Sequence, residues 1–173
     1  MSEITDINDS GLVLLNPFLP AFFKKCGFTE NGSFRNTAAA EDAVRSLQYF
    51  LTGDENSRFS DGDVFLDKLL CGLTPEKPVA WTDGKISLSE RSAAEQFRFF
   101  IRRSFPERIT GKISDRDLTD TFFLRPGTVS VSDGNYKLTV KRRSYDILLD
   151  CIPWTFKSIK FPWMKEVLFI SWV

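Results

Sequence analysis

From Thr37 onward, apolar residues recur at three- and four-residue steps, at Ala40, Ala43, Val44, Leu47, Phe50 and Leu51, and Gly53 closes the run. That spacing predicts an amphipathic helix. Ser60 with Asp63 opens a second helical pattern carrying Phe65, Leu66, Leu69, Leu70 and Leu73, with Gly72 near its end. The two helices can pack as a hairpin. Ser87 and Glu90 have the spacing of a capping box, and Ala94, Phe97, Phe100 and Ile101 make one face of the helix behind it. On its other faces Arg91 and Glu95 are placed for an i, i+4 pair, beside Arg98 and Arg102. Ser114 and Asp117 repeat the start signal ahead of Leu118, Phe122 and Phe123, and Pro126-Gly127 ends that helix. Nearer the start, Leu12 to Leu15 is a short apolar run, after which Asn16, Pro17 and Gly27 predict a helix over 17–26. Thr74 to Gly84, holding Pro75 and Pro78, reads as a connecting loop with Trp81 as its anchor.

The period then changes. Thr128 to Ser132 and Asn135 to Lys141 alternate polar and apolar residues on either side of Asp133-Gly134, which predicts a β-hairpin over 128–141. Ser144 to Ile152 reads as a short helix stopped by Pro153, with a strand as the alternative, and Val167 to Val173 as a final strand added to the hairpin. The fold class expected is α+β, with helices over the first two-thirds and a small antiparallel sheet at the end. Residues 1–10 carry Glu3, Asp6 and Asp9 and are expected to form a flexible lead-in. Residues 11–173 should make one domain, the default at this length.

Composition narrows the function. Lys plus Arg equals Asp plus Glu at 23 each, so no net field draws the chain onto nucleic acid or an acidic membrane. Aromatics are 14% of the residues, more apolar surface than one small domain readily hides, which suits a component of an assembly. The run from Gly11 to Phe23 is interrupted by Asn16, Pro17 and Pro20 and is too short to span a bilayer, and the acidic start is the wrong sign for a secretory leader. Cys26, Cys71 and Cys151 are odd in number and widely spaced within apolar stretches, as expected of buried thiols in a reducing compartment.

Candidate chemistry is sparse. There is no histidine, so the usual neutral-pH acid/base group and the commonest metal ligand are missing. The sequence has no G-x-S-x-G, no G-x-x-x-x-G-K-[ST] and no G-x-G-x-x-G. Asp61-Gly-Asp63 and Asp133-Gly-Asn135 read as turns, since neither continues into the ligand alternation of a calcium loop. Lys141-Arg-Arg143 reads as a solvated strand end, too short for a nucleic-acid track. No cofactor and no metal are expected. A pair of carboxylates assembled by the fold into a hydrolase site stays open as an alternative.

Two Pro-Trp pairs, Pro153-Trp154 and Pro162-Trp163, stand nine residues apart. A tryptophan behind a proline is a large, stiff apolar body, suited to sealing a core or to anchoring a partner. Trp154, Trp163, Pro153, Pro162, Phe161 and Trp172 are therefore the candidate partner-binding residues, with both readings open.

Taken in order, Gly11 to Pro20, Leu47 to Gly53, Leu66 to Gly72, Leu118 to Phe122 followed by Arg125, Tyr145 to Asp150, and the Pro-Trp segment from Cys151 to Met164, with Pro162-Trp-Met164 leading into the final strand, resemble the C-terminal region of tape measure proteins of contractile injection systems, the phage-tail-like particles of bacteria. The resemblance covers about residues 11–173. It implies a structural, non-enzymatic role, made and assembled in the bacterial cytoplasm, with tube, hub or baseplate proteins as partners, no nucleic acid and no membrane insertion. Homo-oligomerisation is left open, as is a stand-alone protein-binding module using the same domain. Such proteins usually place hundreds of residues ahead of this region. A fully helical chain of 173 residues would span only about 260 Å, so an excised terminal domain or a small protein carrying that domain alone is expected.

Overall fold

The computed structural model describes residues 3–56, 59–79 and 86–173. Along the chain the elements are β1 (Ile4–Ile7), a buried 3-10 turn (Ser10–Leu15), α1 (Leu19–Lys25), β2 (Thr29–Glu30), β3 (Ser33–Phe34), α2 (Thr37–Thr52), a 3-10 turn (Gly62–Val64) and α3 (Phe65–Leu70). There follow α4 (Leu88–Ser104), α5 (Glu107–Thr110), α6 (Asp115–Leu118) with a π turn (Thr119–Phe123), β4 (Gly127–Ser132), β5 (Asn135–Val140), a 3-10 helix (Ser144–Cys151), β6 (Ser158–Ile159) and β7 (Leu168–Trp172). The chain forms two compact units. One comprises Met1–Pro17, Arg98–Lys160 and Glu166–Val173; the other comprises Phe18–Phe97 and Phe161–Lys165.

The first unit is built on a five-stranded sheet in the order β1-β4-β5-β7-β6. Its hairpin is the predicted one. Asp133 (φ 52°) and Gly134 (φ 78°) take the paired left-handed conformations of the turn that suits strand twist. Register then fixes the faces: Ile7, Val129, Leu138, Val140, Leu168, Ile170 and Ile159 are buried on one side. The other side presents a row of Ile4, Ser130, Lys137, Phe169 and Ser158.

Two expectations are corrected here. β7 runs parallel to β5, so the sheet is mixed and not antiparallel throughout. The long connection over 141–167 supplies the crossover that a parallel pair requires. The opening segment, expected as a flexible lead-in, supplies β1, which pairs antiparallel with β4.

The buried Ser10–Leu15 turn packs against the π turn so closely that a Cβ on Gly11 would collide with the Phe122 carbonyl. The helix predicted over 17–26 starts at Leu19, with Phe18 as its N-cap. A start at Pro17 would put Pro20 where an N–H must bond back to residue 16, whereas in the first turn its missing N–H costs nothing. Asn16 closes the preceding turn instead, its Nδ2 donating to Val13 O and Thr155 O at 2.9 Å each.

In the second unit, α2 begins where Asn36 Oδ1 accepts from Ala39 N (2.8 Å) and ends at Gly53, whose φ of 71° makes the left-handed cap. The capping box of α4 is closed by Glu90 N–H to Ser87 Oγ (3.1 Å) and Ser87 N–H to Glu90 Oε2 (3.2 Å). Arg91 and Glu95 do not pair with each other. Arg91 meets Glu55 at 2.5 Å, and Glu95 accepts from Tyr49 Oη at 2.9 Å, because partners held by tertiary packing outcompete a weak helix-surface pair. The β2–β3 hairpin turns through Asn31 (φ 54°) and Gly32 (φ 80°). Trp81 and the end of its loop lie outside the described residues.

Candidate functional site

The two Pro-Trp pairs sit in different units and make the same kind of bond. Trp154 Nε1 donates to Leu14 O at 2.8 Å, and its ring meets Phe105 edge-on at 5.2 Å. Trp163 Nε1 donates to Leu70 O at 2.8 Å. Leu14 lies near the end of the 3-10 turn and Leu70 at the end of α3, where carbonyls have no partner within the helix. Each indole therefore caps a helix C-terminus that the sequence leaves open.

Trp163 is further enclosed by Phe34 (5.2 Å), Phe23 (5.9 Å) and Phe161 (5.0 Å). Gly72 explains why its loop can lie so close: φ is 74°, and a Cβ there would stand 2.8 Å from Trp163 O. Of the six candidate residues, Phe161 is buried, Trp154, Trp163 and Trp172 are half-buried, and Pro153 and Pro162 are exposed.

The third tryptophan belongs to a cluster that sequence reasoning did not assign. Arg125, fully buried, forms a two-pronged bond with Asp146, Nη1 to Oδ1 and Nη2 to Oδ2 at 2.7 Å each. It also donates to Lys141 O (3.0 Å) and Thr121 O (3.4 Å). Its guanidinium lies over the rings of Tyr145 (5.5 Å) and Trp172 (5.2 Å), and Phe156 meets Trp172 edge-on. Asp146 Oδ2 additionally accepts from Arg143 N (2.8 Å), tying the start of the 3-10 helix to the same centre. One planar cation thus joins the π turn, the end of β5, the 3-10 helix and β7, a geometry open to guanidinium and not to an ammonium. The signal was present: Arg125 and Tyr145-Asp146 both fall in the blocks that carry the family resemblance.

The chain matches the family described as contractile injection system tape measure protein over residues 2–172. It belongs to that family. No curated protein and no solved structure matches it. With the match spanning nearly the whole chain, the family blocks can be placed in the tape measure fold. Gly11, Gly72, Trp154, Trp163, Arg125 and Asp146 make close backbone approaches, cap helix ends or form the buried pair.

Burial raises two of the three thiols of this tape measure protein. Burial pushes the Cys26 thiol up to about 12, with Glu90 adding to the rise and Lys25 opposing it. Cys71 is raised well above the usual thiol range by burial and then by Asp67. The thiols are free, and of the three expected to be buried only Cys71 is; Cys26 and Cys151 are half-buried because each ends a short helical segment. Glu90 is raised, mainly by loss of hydration. Two further buried ions are bonded internally: Lys68 Nζ bonds Asp61 (2.8 Å) and Lys77 O (2.8 Å), and Asp67 accepts from Gln48 (2.8 Å). Among the described residues no cluster of three or more His, Cys, Asp or Glu could hold a metal ion, and no helix is long and apolar enough to cross a membrane.

Several large apolar side chains remain exposed. In the first unit Phe99 (64%), Phe100 (52%), Ile147 (65%) and Phe169 (47%) keep about half or more of their surface in solvent, well above the usual exposure of such side chains.

Proposed function

We propose that this chain is a non-enzymatic assembly module of a contractile injection particle that docks onto tube, hub or baseplate components. The family match over residues 2–172 carries this reading. It is supported by the internal bonding of Arg125 and Lys68, by the Cys26 and Cys71 thiols being raised by burial, and by large apolar side chains left in solvent. Assembly takes place in the bacterial cytoplasm, where those thiols stay reduced.

Pro153 and Pro162 offer exposed contact surface, and Trp154, Trp163 and Trp172 add their half-exposed rings, with Phe161 supporting Trp163 from within. Because both indoles also hold the fold, Pro153→Ser and Pro162→Ser separate contact from stability better than tryptophan replacements. Mass spectrometry of purified particles should find this chain at a fixed ratio to the baseplate. Both proline variants should fold and lower its incorporation. Intact particles lacking the chain would overturn the reading.

A further inference from the structure

α4 buries Ala94, Phe97, Ile101 and, just past its end, Phe105. At 100° per residue, Phe99 then stands almost opposite Phe97, and Phe100 flanks it, so two phenylalanines open a strip on the solvent side. Both stay more than half exposed. Arg103, one turn on, places its guanidinium 5.8 Å above the Phe99 ring.

The sequence through and beyond the strip is mainly basic, while Glu95, one turn before Phe99, accepts from Tyr49. Arg98 to Lys112 carries Arg98, Arg102, Arg103, Arg108 and Lys112 against the single acid Glu107, in a chain of zero net charge. Arg102 is engaged inward, bonded to Asp115 (2.8 Å), Thr110 O (2.9 Å) and Ile113 O. Arg103 is exposed over the Phe99 ring. An aromatic pair with an arginine at its edge is the composition of an interface centre, where a desolvated ring supplies affinity and the arginine selects a carboxylate.

We propose that Phe99, Phe100 and Arg103 form a docking strip for an acidic amphipathic helix of another particle component. This rests on the docking reading above and names its surface. A convex helix face is matched by a second helix, whose apolar residues at three- and four-residue steps lie against the two rings while its acids meet Arg103. A bilayer is disfavoured because Ala94, Phe97 and Ile101 on the rest of α4 are buried, leaving only two rings to insert. Nucleic acid is disfavoured by the short basic stretch and the neutral chain.

The test measures binding of the full chain to purified tube, hub and baseplate proteins, with a photoreactive phenylalanine at position 99 to map the contacted segment. Phe99→Ser/Phe100→Ser and Arg103→Glu should each weaken one component by at least about tenfold, with unchanged circular dichroism and melting. Exchanging the mapped partner acids for lysine should restore binding to Arg103→Glu. Wild-type binding untouched by these variants would overturn the strip and leave the docking reading standing. No binding by the wild type would overturn both. An effect seen only with phosphatidylserine vesicles or with oligo-dT would overturn the assignment to a protein helix.

Discussion

Replacing Asp146 with alanine removes a carboxylate that accepts two bonds from Arg125 and one from the Arg143 backbone, all at 2.7 to 2.8 Å. The guanidinium it leaves behind is fully buried, between Tyr145 and Trp172. An unmatched buried charge costs about 3–5 kcal/mol, whereas replacing a buried pair as a whole by apolar groups is often close to neutral. With a urea m value of about 2 kcal/mol per molar, Asp146→Ala should lower the midpoint by about 1.5–2.5 M at unchanged m. Arg125→Lys should fall in the same range, since an ammonium cannot match both carboxylate oxygens and the Lys141 carbonyl together. The double variant Arg125→Met/Asp146→Leu should cost only about 1–2 kcal/mol, set by the carbonyls of Lys141 and Thr121 losing their donor. Urea titrations followed by circular dichroism provide the measurement. A midpoint shift below about 0.5 M for Asp146→Ala, or additive costs in the double variant, would refute the reasoning.

Three further outcomes concern the second unit. Trp163→Phe keeps the aromatic contacts but loses the bond to Leu70 O, so it should cost about 1–2 kcal/mol in thermal denaturation; Gly72→Ala should cost more, because it adds left-handed strain to a collision with Trp163 O. At pH 8 a Cys26 thiol pushed up to about 12 is ionised in roughly one molecule in ten thousand. Native-state alkylation of Cys26 by iodoacetamide, read by peptide mass spectrometry, should therefore be at least about a hundredfold slower than in urea, and fast labelling of Cys26 in the folded chain would contradict the burial.

Several local elements could be read directly. Asp133-Gly134 fixes its own hairpin because both residues tolerate positive φ, and Ser87 with Glu90 closes its own box because the partners are three residues apart. Asn31-Gly32 carried an equally clear turn signal for the β2–β3 hairpin, but the flanking strands are two residues each, too short to show alternation. The candidate site was less legible. Nothing local tells that Trp154 reaches Leu14 or that Trp163 reaches Leu70, since those bonds join residues 140 and 93 positions apart. Phe100 was read as part of the inward face of α4 and is more than half exposed, because packing selected a stripe centred on Phe97 and Ile101.

By itself the sequence determined the α+β class, the positions of α2, α4 and the β4–β5 hairpin, and through its ordered blocks the family. Those features rest on backbone preference and side-chain period, which act over a few residues. Tertiary structure alone decided that the opening residues become a strand, that β7 runs parallel to β5, and that Arg125 pairs with Asp146. In each of these cases the deciding energy is a bond or a buried surface shared between distant segments, and no local pattern fixes which partner the folded chain will bring within reach.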